Sequence, residues 1–218
     1  MKENKTTSRT DSGPEEMVRD IRQMMERSSR FISLSGLSGI AAGFTALVSA
    51  WIAYRILHQY GGAYQSKGFF SGDAFSRLKI KLLALATGTF LFAFVLSFYF
   101  TYRRSRSQGI PIWDATSRRL FWNMAIPLMA GAVFVIGMLR YDEWKFLSSA
   151  CLIFYGLALV NASKYTLSDV RYLGILEILL GSINLIFIGY GLYFWAIGFG
   201  LLHIIYGITM WMKYERKG

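Results

Sequence analysis

Long apolar runs separated by short clusters of charge set the plan of this chain. Runs at about 31–56, 80–102, 120–139, 146–162, 172–190 and 194–212 have the length and composition of helices that cross a hydrocarbon core. Between them lie turn and breaker signals, among them Gly61-Gly62, Ser71-Gly72-Asp73, Gly109-Ile110-Pro111 and Asp142-Glu143. The pattern predicts an all-α polytopic membrane protein, with six transmembrane helices over residues 31–218. Ahead of them, residues 1–12 are polar and predict a disordered tail. Residues 13–30 predict an amphipathic helix: Gly13-Pro14 with Glu15 and Glu16 is a start signal, and Met17, Ile21, Met24 and Ser28 recur at helical spacing. Two readings of that helix stay open, an interfacial helix resting on lipid headgroups and a docking face for a cytoplasmic protein partner.

Small residues recur at three- and four-residue steps on three of the spans. Gly36, Gly39 and Gly43 mark one face of the first span, Gly174 and Gly181 the fifth, and Gly200 and Gly207 the sixth. Such faces let helix backbones approach closely in lipid. They suit packing within the bundle and, equally, a homo-oligomer. Pro127 and Gly131 are candidate kink points in the third span. The aromatics of the second span, from Phe90 to Tyr102, read as lipid-facing or bundle-filling. Asp114 and Arg118 are spaced as an ion pair on a short interfacial helix.

Composition sharpens the class. Charged residues are 17% of the 218, where a soluble domain carries about a quarter, and hydrophobic residues are 54%. The net charge of +11 does not point to nucleic acid, because the basic residues flank apolar runs, where they anchor helix ends. With six spans, 17 of the 24 Lys and Arg fall on the side of the two termini, so both termini are expected in the cytoplasm. The single cysteine, Cys151, excludes an intrachain disulfide and a cysteine metal site. No secretory signal peptide is visible, since the first apolar run starts near Phe31 and is too long for one.

The chemistry concentrates in Gly174-Ile-Leu-Glu177-Ile-Leu-Leu-Gly181 and Gly200-Leu-Leu-His203-Ile-Ile-Tyr-Gly207. Both read glycine, two residues, an ionisable residue, three residues, glycine. Glu177 is the one carboxylate expected at membrane depth, and an ionised carboxylate there must be partnered or protonated. A tight antiparallel hairpin whose small-residue faces meet would bring His203 beside it, directly or through one water. Such a pair serves as a proton relay, a ligand for a cation or amine, a pH switch, or a neutral staple that fixes helix register. Asn184 shares the face of Glu177 and completes the candidate intramembrane polar site; Asn184 and Asn161 are expected as interhelical hydrogen-bond partners. No metalloprotease motif, nucleophile elbow or phosphate loop is present, so neither catalysis, a cofactor nor a metal is expected.

The phrases MMERSSRFISLSGLSGIAAG, SRRLFWNMAIPLMAG, LIFYGLALVNASKYT, RYLGILEILLG and FWAIGFGLLHIIYGITMWMKYER resemble those of a family of six-span bacterial integral membrane proteins of Bacteroidetes type. The resemblance runs from about residue 17 to the end. It implies a fold and a bacterial inner-membrane location, and carries no activity or functional residues. The glycine spacing of the last two spans is also similar to that of HdeD-like membrane proteins linked to acid stress. Two functions are therefore expected as alternatives. One is a non-enzymatic membrane protein with a sensory, regulatory or stress-related role, responsive to pH or a ligand through Glu177 and His203. The other is a small proton-coupled transporter or channel that uses the same pair.

Overall fold

The computed structural model describes residues 35–59, 73–109 and 111–216. The expected tail at 1–12, the amphipathic helix at 13–30 with its partner face, the start of the first span and most of the first loop lie outside the described residues. Within them every regular element is helical. Helix α1 spans Gly36–Gln59, α2 Asp73–Ser107 and α3 Ala115–Arg140. A 3-10 turn at Trp144–Phe146 leads into α4, Leu147–Ala162, and α5 follows at Asp169–Ile186. The last helix, α6, runs over Gly191–Tyr214 and is π-helical between Ala196 and Leu202.

Several limits differ from the sequence expectation for identifiable reasons. α2 extends well beyond 80–102 because the basic residues at its ends do not stop a helix; it closes only at Gly109, which has φ +65°, just before Pro111. At about 1.5 Å per residue its 35 residues outrun a hydrocarbon core of about 30 Å, so both ends project into the headgroups. No separate interfacial helix carries Asp114 and Arg118. Asp114 instead caps α3, accepting hydrogen bonds from the Ser117 amide at 2.6 Å and the Ser117 hydroxyl at 2.7 Å. The last hairpin turns at residues 187–190 around Gly189, φ +107°, so α5 ends earlier than 190 and α6 starts earlier than 194.

The packing order is α2, α1, α6, then the α4–α5 pair, then α3. α1 and α6 lie antiparallel and touch through glycines. A Cβ added to Gly43 would sit 2.6 Å from the Gly200 carbonyl oxygen, and one on Gly207 2.6 Å from that of Gly36. Gly39 faces the backbone of His203 and Gly207. α4 and α5 repeat the device: a Cβ on Gly156 would meet the Gly174 carbonyl at 2.6 Å, and Gly181 rests on Ser149, Leu152 and Ile153. These contacts place all seven expected packing glycines in helix–helix seams.

The molecule is inverted relative to a soluble domain. Ser38, Thr45, Ser49, Thr89, Ser149, Glu177, Asn184 and His203 are buried, while Phe90, Phe94, Phe98 and Tyr102 form an exposed stacked ladder down α2. Among the described residues five helices are long and apolar enough to cross a membrane. The exception is α5, whose 18 residues include Asp169, Arg171 and Glu177. Length, composition and the outward placement of large apolar groups make this a helical membrane protein.

Candidate functional site

Glu177 lies midway along the face of α5 that α4 and α6 cover. Its carboxyl group touches Gly198 of the π-helical stretch, where an added Cβ would stand 2.6 Å from Oε2. Only glycine leaves room for the acid there. The π turn matters for the partner too. A wider turn leaves carbonyl oxygens without their usual donors, and His203 Nδ1 lies 3.0 Å from the Gly198 oxygen. On the other side of the ring, His203 Nε2 is 2.8 Å from the Tyr155 hydroxyl of α4. With the ring proton on Nδ1, His203 donates to Gly198 and accepts from Tyr155, a self-consistent neutral arrangement.

Glu177 Oε1 stands 3.4 Å from His203 Nδ1. That separation is ion-pair range, yet the ring nitrogen is committed to the nearer Gly198 oxygen. Neither carboxyl oxygen has a hydrogen-bond partner among the described residues. Glu177 is fully buried and His203 is 6% exposed. The site therefore holds two protonatable groups in contact, with one ring proton and unused acceptor capacity on the acid. Its walls are aromatic: Tyr155 stacks on Phe199 at 5.1 Å and on His203 at 5.4 Å, and Trp195 lies 5.3 Å from Phe199.

No protein-family model, curated protein or solved structure matches the chain. The site must be read from its own geometry. Asn184 lies two turns beyond Glu177 on the same face of α5, also buried. It was expected to bond a neighbouring helix, but neither its amide nitrogen nor its oxygen has a partner among the described residues. Its nitrogen points toward Gly191, 3.8 Å from where a Cβ would be.

The route by which Glu177 and His203 meet also differs from expectation. The small-residue faces of α5 and α6 do not face each other: Gly174 and Gly181 are spent against α4, and Gly200 and Gly207 against α1. Contact is made through Gly198, off the glycine stripe, on a locally rewound helix. Tyr155, Gly198 and Ser149 complete the surroundings, and sequence reasoning did not assign them to the site. A free tyrosine hydroxyl inside an apolar run was the available signal, since a buried hydroxyl needs a partner.

Two further features frame the site. Toward the chain termini an apolar cluster of Leu159, Leu167, Val170, Leu173 and Met210 closes the seam. Toward the α5–α6 turn, a half-open apolar cavity of about 250 Å³ lies between α1, α2, α3, α4 and the start of α6, with Ser148, Cys151, Gly191 and Trp195 on its inner wall. At its rim Lys79 pairs with Asp142 and sits 5.6 Å from the Trp144 ring. The Lys79 hydrogen bond, helped by Trp144 Nε1, holds the Asp142 carboxyl below its usual range. At the opposite end Glu215 gathers three elements, accepting from Arg104 at 2.6 Å, from the Ser35 hydroxyl and from the Gly36 amide.

Proposed function

We propose that this is a non-enzymatic integral membrane protein with a sensory or regulatory role, in which the Glu177–His203 pair responds to protonation or to a small ligand. The observation that carries the reading is a buried carboxyl group without a hydrogen-bond partner, 3.4 Å from a histidine that is itself satisfied elsewhere. A purely structural staple would use both partners, whereas here the acid is left ready to change its bonding when a proton or ligand arrives. The π-helical turn supplies a backbone element with an alternative register beside the pair.

The proposed setting is a bacterial inner membrane, with six spans and both termini in the cytoplasm. α5 serves as the fifth of the six spans despite its charges, since Glu177 faces the bundle rather than lipid and Asp169 pairs with Lys213 at 2.8 Å near the end of α6. The excess of Lys and Arg on the terminal side supports the orientation. A cytoplasmic partner at residues 13–30 would receive the signal.

The test is tryptophan and tyrosine emission from the full chain in liposomes across a pH titration. A pH-dependent signal in the wild type that Glu177→Gln removes supports the reading. A flat signal in both overturns it. A Glu177-dependent proton or solute flux in the same liposomes would replace it with the transporter reading.

A further inference from the structure

The two ends of the Glu177 seam are built differently. From Glu177 toward the α5–α6 turn, the α4–α5–α6 seam carries a file of buried polar atoms: both Glu177 oxygens, the Ser149 hydroxyl and the Asn184 amide. None has a hydrogen-bond partner among the described residues. Glu177 and Asn184 are seven residues apart on α5, about 10 Å of helix, and they abut Gly198 and Gly191, seven residues apart on α6. Gly181, between them, lets α5 close onto α4 at the level of Ser149, where an added Cβ would stand 3.0 Å from the Ser149 carbonyl oxygen. The file ends where the Ser148 hydroxyl donates to the Gly191 carbonyl at 2.6 Å, on the wall of the cavity whose rim carries Lys79 and Asp142. In the other direction the Tyr206 hydroxyl is also buried without a partner, but it abuts the cluster of Leu159, Leu167, Val170, Leu173 and Met210, and among the described residues no further partnerless polar atom continues beyond it.

Buried polar atoms in such numbers are satisfied by ordered water where the protein supplies no partner. We infer that a short hydrated file past Asn184 and Ser149 delivers protons to the Glu177–His203 pair from the α5–α6 turn side alone. This deepens the proposed function and rests on it: with the termini in the cytoplasm, the pair reads acidity outside the cell. A proton enters from water at the Gly191 end, passes by exchange along hydrogen bonds, and ends on the Glu177 carboxylate or the His203 ring; a proton leaves by the reverse path. The other titratable groups facing the pair are Tyr155 from α4 and Tyr206 from α6, with Cys151 of α4 on the cavity wall. α1, which backs α6, presents glycines to it, and the charges of α5 near Asp169 and Arg171 lie beyond the apolar cluster.

The experiment follows hydrogen–deuterium exchange of the Glu177 carboxyl group by infrared spectroscopy, in the full chain in liposomes, with Glu177→Gln identifying the band. Asn184→Leu, which plugs the file, is expected to slow exchange by roughly tenfold or more, the cost of about one lost hydrogen-bonding link. Ser182→Ala, on the exposed side of α5, is expected to leave the rate unchanged. A second measurement stands if Asn184→Leu fails to fold. In a Cys151→Ser background, silver ion added from the turn side should react with Ser149→Cys and spare Leu173→Cys. Exchange in Asn184→Leu at the wild-type rate, or reaction of Leu173→Cys before Ser149→Cys, would overturn the file while leaving the pair's pH response intact. Loss of the pH response itself in the wild type would instead sink the proposed function, and the file with it.

Discussion

Removing His203 should cost more than removing the acid it faces, and the two effects should not add. His203→Phe keeps the ring volume against Phe199 and Tyr155 but strands the Gly198 carbonyl and the Tyr155 hydroxyl, and removes the imidazole that stands 3.4 Å from Glu177 Oε1. At about 1 kcal/mol for each of the two stranded groups, within the range for interhelical hydrogen bonds in bilayers, and about as much for the lost approach to the acid, the loss is about 3 kcal/mol. Glu177→Met replaces two partnerless oxygens with an apolar group of similar length, so its cost is below about 1 kcal/mol and its sign can be favourable. In the double variant there is no acid left to lose its imidazole neighbour, and about 1 kcal/mol returns as a coupling energy. Reversible unfolding in mixed micelles, applied to the four proteins of the cycle, measures it. Additivity within about 0.4 kcal/mol would show that the 3.4 Å approach carries no energy, and the reasoning about the pair would fail.

Other outcomes follow from single contacts. Gly198→Ala drives a Cβ to 2.6 Å from Glu177 Oε2, so it should abolish the pH-dependent emission while the protein still inserts, read in the same liposome titration. Gly43→Val and Gly156→Val place side chains on facing carbonyls and should each lower stability by about 2 kcal/mol or more, whereas Gly88→Ala, with open space around it, should be neutral or gain up to about 1 kcal/mol in thermal unfolding. Glu215→Gln weakens the Arg104 contact, and should raise the proteolytic sensitivity of the chain just before α1 without altering the pair's titration. The Lys79–Asp142 link should vanish in acid. The folded carboxyl group of Asp142 titrates below its ordinary value of 3.8, so the contribution is complete above that value and disappears as pH falls through the lowered one. Loss of protection at the ends of α2 and α3, followed by hydrogen exchange against pH, checks it; Asp142→Asn should show no such acid step.

The parts of this fold that were legible in the sequence are those that one segment encodes by itself. Helical apolar runs and the glycine stripes follow from local spacing, and the structure contains them; the aromatics of α2, read as lipid-facing or bundle-filling, face outward. Which stripes meet is a different matter. Gly200 and Gly207 specify a close approach without specifying a partner, and chain proximity wrongly favoured α5 over α1. The meeting of Glu177 with His203 was expected across a hairpin whose small-residue faces meet, and the structure makes it through Gly198 on a π turn. Nothing in Ala196–Leu202 marks that turn, because the wider hydrogen-bond pattern is set by packing on both sides rather than by a breaker residue. The partnerless Asn184 was read as a bonded one for a related reason: sequence shows that an amide is buried, but not whether a donor or acceptor stands opposite.

The seam between α1 and α6 ties the order of synthesis to the order of assembly. α4 and α5 are consecutive and can close as soon as both have left the translocon. α1 emerges well before its mate α6, so its glycine stripe stays unpaired while α2 to α5 are made. Closure of that seam is then the event that locks His203 into place, and a nascent or truncated chain lacking α6 would offer the stripe of Gly36, Gly39 and Gly43 to a neighbouring molecule instead.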